Sequence, residues 1–318
     1  MHKIFITGGC GFIGSHLTEY FFKKYKNSMI YVYDKITYAA NIKNLEGIMK
    51  SKRLKIIKKD LINFNALKYY SKNTDILIHA AAESHVDNSF NLTNEFIRTN
   101  VIGTKNVIDA CKINKIKKII HISTDEIYGE IFKSSFDENS QFNPSNPYSS
   151  SKAAAEMIIN GYIHSYKLPV IIVRANNIFG TRQHPEKLLP GSCWSLIKKK
   201  KFTIHGNGTQ KRSFLYVKDL CEGVYTVVSK GKNYNIYNIG SKFEYKNIDV
   251  FKLVANENNL KFNNYINYVK DRPFNDYRYS LNFKKIMKLG WKPKTKIEDK
   301  ISEINNWYKK NISRFKKR

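Results

Sequence analysis

Seven residues, Gly8-Gly9-Cys10-Gly11-Phe12-Ile13-Gly14, stand between a short apolar segment, Lys3–Thr7, and a helix-length stretch over 12–25. No other feature constrains the fold as much. Glycines at this spacing, after a strand and at the opening of a helix, are what a dinucleotide-binding loop requires. Gly8 permits the tight turn, Gly11 lets a pyrophosphate approach the backbone, and Gly14 allows close packing of helix on strand. The helix N-terminus, with Phe12 and Ile13 in its first turn, then faces the phosphates. Twenty residues beyond Gly14, Asp34 ends the second strand. A carboxylate there accepts hydrogen bonds from ribose hydroxyls and repels a 2′-phosphate, which favours NAD over NADP, although the adjacent Lys35 weakens that exclusion. The glycines alone would also suit a plain turn; strand, helix and acid together make the cofactor reading the better one.

The segments Lys3–Thr7, Met29–Tyr33, Leu54–Lys58, Asp75–His79, Lys117–Ser123 and Pro169–Arg174 are short and rich in β-branched or aromatic residues. They alternate with helical stretches at about 12–25, 91–112 and 147–166, the pattern of successive βαβ units and a parallel sheet. The expected fold class is α/β: a Rossmann-type doubly wound parallel sheet with a smaller, mainly helical C-terminal substrate domain. After Arg174 the pattern turns irregular, with strand-like Phe214–Val217 and Tyr234–Ile239 expected to return to the sheet. Residues 1–175, with about 213–245, are assigned to the NAD-binding domain, and 176–212 with 246–318 to the substrate domain. A final amphipathic helix is expected near 296–309.

Composition narrows the function classes. A formal charge of +29 comes from 55 Lys+Arg against 26 Asp+Glu, which would normally point to nucleic acid. The basic residues are spread along the whole chain, so this reads as a compositional bias, and nucleic acid is not an expected partner. No run of 18 apolar residues spans a bilayer and no signal sequence opens the chain, so a cytoplasmic protein with no membrane partner is expected. Cys10, Cys111, Cys193 and Cys221 are too scattered for a metal site or a disulfide framework and are expected to be free thiols.

Tyr148 and Lys152 stand four apart on a predicted helix, on one face, with Cβ atoms about 6 Å apart. Downstream of a dinucleotide loop the pair suggests a phenol used as a base. A free Tyr titrates near 10, so work at neutral pH needs a lowering of about 2–3 units, which Lys152 and a cationic nicotinamide could supply. Ser123-Thr124-Asp125-Glu126 closes the fifth strand, at the sheet edge where open α/β sheets bind ligands. Ser-x-x-Glu is equally a capping box, with Glu126 reaching back to Ser123. Adjacent carboxylates in a strand point to opposite faces, so both serve one ligand only if the chain turns there.

These motifs, together with Asp34-Lys35-Ile36-Thr37-Tyr38-Ala39, Ala81-Ala82-Glu83-Ser84-His85-Val86-Asp87, Thr99-Asn100, Asn176-Asn177, Pro185-Glu186-Lys187-Leu188, Tyr237-Asn238-Ile239-Gly240 and Asp271-Arg272-Pro273, resemble the extended short-chain dehydrogenase/reductases. Within that superfamily the chain resembles the dTDP-glucose 4,6-dehydratases from about residue 3 to 309. The Thr124-Asp125-Glu126 triplet is the most specific element. The resemblance implies that Tyr148, as phenolate, takes the O4 proton while a hydride leaves C4 for NAD, with Thr124 bonded to the same oxygen. Glu126 then removes the C5 proton acidified by the new ketone, and Asp125 protonates the departing C6 hydroxyl. Hydride return at C6 and reprotonation of C5 leave a 4-keto-6-deoxy sugar and the cofactor unchanged.

The same resemblance implies the binding residues. Asp60 and Leu61 fall to the cofactor, Asp60 at the adenine; Ala81, Ala82, Glu83, Ser84, Thr99 and Asn177 line NAD beside Tyr148 and Lys152. His85, Asn176, Lys187 and Leu188 hold the nucleotide-sugar. So do His205, Arg212, Asn247, Arg272 and Asn275, the arginines suiting a diphosphate by their planar fork. Two departures from the usual pattern, Ser213-Phe214 after Arg212 and Arg272-Pro273-Phe274-Asn275, leave thymine or uracil open. A nucleotide-sugar epimerase and a non-catalytic NAD sensor are the alternatives. Apolar Phe96, Val101, Ile108, Ile158, Ile159 and Ile163 suggest a homodimer through the helices near 91–112 and 147–166.

Overall fold

A computed structural model describes residues 2–271 and 275–315. In chain order the first half comprises β1 (Lys3–Thr7), α1 (Phe12–Lys24), β2 (Met29–Asp34), β3 (Leu54–Lys58), α2 (Phe64–Tyr70) and β4 (Ile76–His79). Then come α3 (Val86–Asn91), α4 (Thr93–Phe96), a π-helical turn at Ile97–Ile102, α5 (Gly103–Ile113) and β5 (Lys118–Thr124). A 3-10 turn at Asp125–Tyr128 precedes α6 (Pro147–Tyr166), β6 (Val170–Ala175), β7 (Asn177–Phe179) and α7 (Leu188–Ile197). The remainder contains β8 (Phe202–His205), β9 (Lys211–Tyr216), α8 (Val217–Lys230), β10 (Ile236–Ile239) and β11 (Glu244–Lys246). It ends with α9 (Asn247–Glu257), β12 (Ile266–Val269), α10 (Lys284–Met287) and α11 (Ile301–Asn311).

Seven strands form one sheet in the order β10-β6-β5-β4-β1-β2-β3, with every adjacent pair parallel. This is the expected Rossmann-type doubly wound sheet, and its order reverses at β1, where ligands bind beyond the carboxyl ends of the strands. Strand alternation divides the core. Ile4, Ile6, Ile76, Ile78, Ile120 and Ile122 pack with Leu17 and Phe21 of α1 and Val224 and Val227 of α8. Phe5, Leu77, Ile119 and Ile172 face the other way, onto Leu67, Val107, Ile108 and Ile159 of α2, α5 and α6. Both faces are covered, which is why these strands read as nearly unbroken apolar runs.

Of the two late strand-like segments, Ile236–Ile239 joins β6 in the large sheet. Phe214–Val217 does not return to it. Its Phe214–Tyr216 part belongs to β9, which lies between β7 and β11 in a separate three-stranded sheet, and Val217 opens α8; β6 ends at Ala175 and the chain leaves the large sheet there to form β7 from Asn177. With the β8–β12 pair, this gives the second lobe more sheet than its periodicity suggests. The stretch expected at 91–112 is a helix with a π-helical turn inside it, and α2 and α3 are too short for periodicity to reveal. Phe96, Ile108 and Ile159 are buried within the chain, so they are not free to meet a second copy. The exposed apolar residues on the same helices include Ile97, Ile102, Ile113, Met157 and Tyr166. All four cysteines are buried free thiols, and no helix among the described residues is long and apolar enough to cross a membrane.

Candidate active site

The glycine loop has the shape its spacing demands. Gly8 adopts φ +71°, and a Cβ there would lie 2.6 Å from the Ala81 Cα. A Cβ on Gly14 would meet the Gly8 carbonyl oxygen at 2.0 Å, so α1 can start this close to β1 only with glycine. Asp34 braces the loop from β2: Oδ2 accepts the Cys10 amide at 2.9 Å and Oδ1 the Ile36 amide at 2.7 Å. Each oxygen keeps a further lone pair for a ribose hydroxyl. Burial raises the Asp34 carboxyl above its ordinary range, and the amides of Ile36, Cys10 and Gly11 oppose that rise. Lys35 pairs with Asp60 at 3.0 Å, which takes up the charge that weakens exclusion of a 2′-phosphate.

The cavity above this loop is lined by Gly8, Gly11, Phe12, Ile13, Gly14, Asp34, Lys35 and Asp60. Ala81, Ala82, Glu83, Ser84, Thr99, Tyr148, Lys152 and Asn177 complete the cofactor set on its walls. Leu61 is not among them; it is buried in the core, beside Gly103. The cradle fits a dinucleotide on two further counts. Ser123 Oγ and Asn177 Nδ2, both on the lining, are buried without a hydrogen-bond partner, and such atoms call for a polar ligand or water.

A second cavity adjoins the first, and Glu126, Asn177, Glu186 and Lys187 line both. His85, Leu188, His205, Arg212, Asn247 and Asn275 lie on its walls as expected of a nucleotide-sugar site, whereas Thr124 and Asn176 face the first cavity. Arg272 lies outside the described residues. Lys187, just before α7, donates to the carbonyl of Ser84 in the loop after β4 at 2.6 Å. Arg212 lies over the Tyr279 ring, 4.6 Å from its centroid, and donates to Asn275 Oδ1 at 3.4 Å.

The chain does turn where two acids must share one ligand. Thr124 ends β5 and caps the 3-10 turn, its hydroxyl accepting the Glu126 amide at 3.3 Å. Thr124 makes the cap, so Glu126 is left free of the Ser123 capping box and partly open to both cavities. Asp125 is 3% exposed and accepts the Asn176 amide at 2.7 Å. Burial, then the neighbouring Glu126, push the Asp125 carboxyl up to about 7. Burial raises Glu126 too, but the Lys187 and Arg212 cations pull it back. The pair is thus biased toward a protonated Asp125 beside an ionised Glu126.

Tyr148 and Lys152 share the first cavity with them, on a helix begun by an Asn146–Ser149 capping box and Pro147. Lys152 donates to the Ile122 carbonyl at 2.8 Å, and burial draws its ammonium down to about 8. Tyr148 departs from expectation: burial, then Glu126, raise its phenol, while a hydrogen bond with Thr124 opposes them. Lowering it is therefore left to a cation brought by the ligand, together with Lys152.

Sequence reasoning missed Asp276, Tyr279 and Asn146, all on the second cavity. Asp276 accepts from Ser145 Oγ at 2.6 Å and from the Tyr279 hydroxyl, and Asn146 Nδ2 reaches Glu126 at 3.5 Å. Asn146 was recoverable as a cap before Pro147; Asp276 and Tyr279 arrive by tertiary contact and leave no spacing signal. Glu186 sat within a quoted motif without a role, and it takes the Tyr38 hydroxyl at 2.9 Å.

Residues 5–304 match the family model described as GDP-mannose 4,6 dehydratase. The dTDP-D-glucose 4,6-dehydratase of Dictyostelium discoideum is 41% identical, over 98% of this chain and 82% of that protein. A trifunctional UDP-glucose 4,6-dehydratase/UDP-4-keto-6-deoxy-D-glucose 3,5-epimerase/UDP-4-keto-L-rhamnose-reductase of Arabidopsis thaliana is 40% identical, over 97% of this chain but 47% of its own. The crystal structure of a dTDP-glucose 4,6-dehydratase from Streptomyces venezuelae with NAD bound superposes with a TM-score of 0.95 at 32% identity, covering 98% of each chain.

Proposed function

The chain belongs to the GDP-mannose 4,6 dehydratase family, with dTDP-glucose 4,6-dehydratases among its full-length relatives, and on that premise we propose how its own residues carry the reaction. It is an NAD-dependent hydro-lyase acting on a nucleoside-diphosphate glucose, with a 4-keto-6-deoxy sugar as product. dTDP-D-glucose is the substrate we assign first and UDP-D-glucose second, as the relatives' names rank them. The observation that carries the reading is the Asp125–Glu126 pair, turned together onto one cavity beside Tyr148. An epimerase has no use for an acid and a base at C6 and C5.

Gly8, Gly11, Gly14 and Asp34 would hold the pyrophosphate and ribose of NAD, and Ser123 and Asn177 offer partners toward its nicotinamide half. Bound NAD supplies the hydride acceptor at C4 and the hydride donor at C6. Tyr148 takes the proton of O4, with Thr124 steering that oxygen and Lys152 stabilising the phenolate. Glu126 removes the C5 proton, Asp125 gives its own to the C6 hydroxyl as water leaves, and C5 takes a proton back when C6 is reduced. Lys187, Arg212 and Asn275 hold the diphosphate. Residues 1–175 serve the cofactor and the second lobe serves the sugar nucleotide.

The protein works as a cytoplasmic homodimer with neither nucleic acid nor membrane as partner. Exposed Ile97, Ile102 and Met157 support an apolar contact between copies; a monomeric mass at micromolar concentration overturns the dimer. The activity is tested by incubating purified protein separately with dTDP-glucose and UDP-glucose, without added reductant. Formation of the keto-deoxy product from either is expected, and turnover of neither refutes the assignment.

A further inference from the structure

A second polar cluster lies behind the catalytic groups. Arg174, on β6, is the largest fully buried side chain among the described residues, and Glu156 is 0% exposed. Arg174 Nε lies 3.2 and 3.1 Å from the two Glu156 oxygens, and Nη2 lies 2.7 Å from Oε2. Its Nη1 donates to the Tyr128 hydroxyl at 2.5 Å and to the Glu138 carbonyl at 3.2 Å. Tyr128 donates onward to Asn238 Oδ1 at 3.0 Å, and the guanidinium rests 4.8 and 4.9 Å from the Tyr128 and Phe142 ring centroids. None of Arg174, Glu156 and Tyr128 lines either cavity.

A buried ion pair is a poor source of stability, because desolvation costs about as much as the attraction returns. What this one does is join three elements. Glu156 stands one helical turn beyond Lys152 on α6, on the same face. Tyr128 ends the turn that carries Asp125 and Glu126. Arg174 lies two residues before Asn176, which holds Asp125. We propose that Arg174 and Glu156 are positioning residues: one guanidinium fork fixes the helix bearing Tyr148 and Lys152 against the turn bearing the acid–base pair. The proposal rests on the dehydratase reading for the roles of those groups, and on the hydrogen bonds alone for the brace.

Glu156 acts on Lys152 in a second way. The titratable groups that act on Lys152 are Glu156 of its own helix, His79 of β4 and His121 of β5. Burial keeps both histidines neutral. Burial lowers the Lys152 ammonium and the Glu156 carboxylate opposes that drop, so removing the carboxylate lowers it further.

The test uses the full-length protein with Arg174→Lys, which keeps the charge and loses the fork, and Glu156→Gln, which keeps the shape and loses the charge. Both should lower kcat by up to about 10²-fold with KM nearly unchanged, the scale of a 1 Å misplacement. Glu156→Gln should also move the alkaline loss of the C4 oxidation step, followed by stopped-flow, to lower pH, whereas Arg174→Lys should leave that limb of oxidation in place. A reduced melting temperature with wild-type kcat and pH profile means a purely structural pair and overturns the proposal. Tyr128→Phe leaves the ion pair intact and carries the test if the others fail to fold: a lowered kcat supports the brace and a wild-type kcat sinks it. Inactivity of the wild type on both sugar nucleotides would count against the dehydratase reading instead. The brace would still be judged by a crystal structure of unliganded Arg174→Lys, in which the turn should shift and the 2.7 Å Asn176–Asp125 contact lengthen; an unmoved turn refutes it.

Discussion

Asn176 holds Asp125 by one side-chain amide, 2.7 Å from Oδ2, while its own Oδ1 accepts the Ser241 backbone amide at 2.9 Å. The first residue beyond β6 thus ties the catalytic turn to the loop after β10. The bond also favours ionised Asp125, against burial. Asn176→Ala should therefore shift the alkaline limb of the elimination step to higher pH. It should also lower kcat about tenfold, the upper end for one lost hydrogen bond between neutral groups. An unshifted limb would mean that a group other than Asp125 titrates there.

Adjacent acids with different duties predict separable failures. Asp125→Asn should slow elimination and leave oxidation at C4 largely intact, as followed by transient absorbance of reduced cofactor. Glu126→Gln should stop exchange of the C5 proton with solvent deuterium. Equal loss of both steps in Asp125→Asn, or undiminished exchange in Glu126→Gln, contradicts the assignment.

Lys152 is buried on its cavity floor with an ammonium lowered to about 8, and Tyr148 beside it is raised by burial and by Glu126. The phenolate therefore depends on a protonated Lys152. Lys152→Met should cut the oxidation rate by about 10²–10⁴-fold, the range for a general base. In the wild type, oxidation should fall as Lys152 deprotonates above about pH 8. A pH-independent rate between 7 and 9.5, measured by stopped-flow, would remove Lys152 from the role (the upper bound being about 1.5 units past its midpoint).

The glycines separate packing from ligand binding. A Cβ at Gly14 would stand 2.0 Å from the Gly8 carbonyl oxygen, but one at Gly11 only comes to 3.3 Å of it. Gly14→Ala should displace α1 and lower the melting temperature, whereas Gly11→Ala should fold normally and release NAD on gel filtration. Equal melting temperatures for the two variants would show that the loop yields more readily than its geometry implies.

Legibility followed the range of the interactions. The parallel sheet could be read because each strand carries its own apolar run, and the cofactor loop because strand, glycines and acid lie within one βα unit. The β7–β9–β11 sheet could not: its outer strands, Asn177–Phe179 and Glu244–Lys246, are three residues each, and pairing partners at that length are chosen by tertiary contact. Periodicity marked Phe96, Ile108 and Ile159 as apolar without saying that this chain's own core takes them. Asp276 reaches the second cavity through Ser145, 131 residues away, a separation no local pattern encodes.

Keeping Asp125 protonated carries a cost in stability whose sign is fixed by linkage. The folded carboxyl holds its proton up to about pH 7, against an ordinary value of 3.8. Between those values the folded chain carries a proton that the unfolded chain has lost, so this group's contribution declines as pH rises and is gone above about 7. Below 3.8 both states are protonated and the contribution is complete. At about 1.36 kcal/mol per unit, the loss at pH 8 is on the order of a few kcal/mol. Asparagine cannot titrate and can still accept the Asn176 amide. Asp125→Asn should therefore match the wild type near pH 4, gain on it steadily toward pH 7 and hold a constant advantage above that. Thermal unfolding across this range decides the point: a difference that does not vary with pH would mean Asp125 is ionised in the fold, and the acid role would go with it.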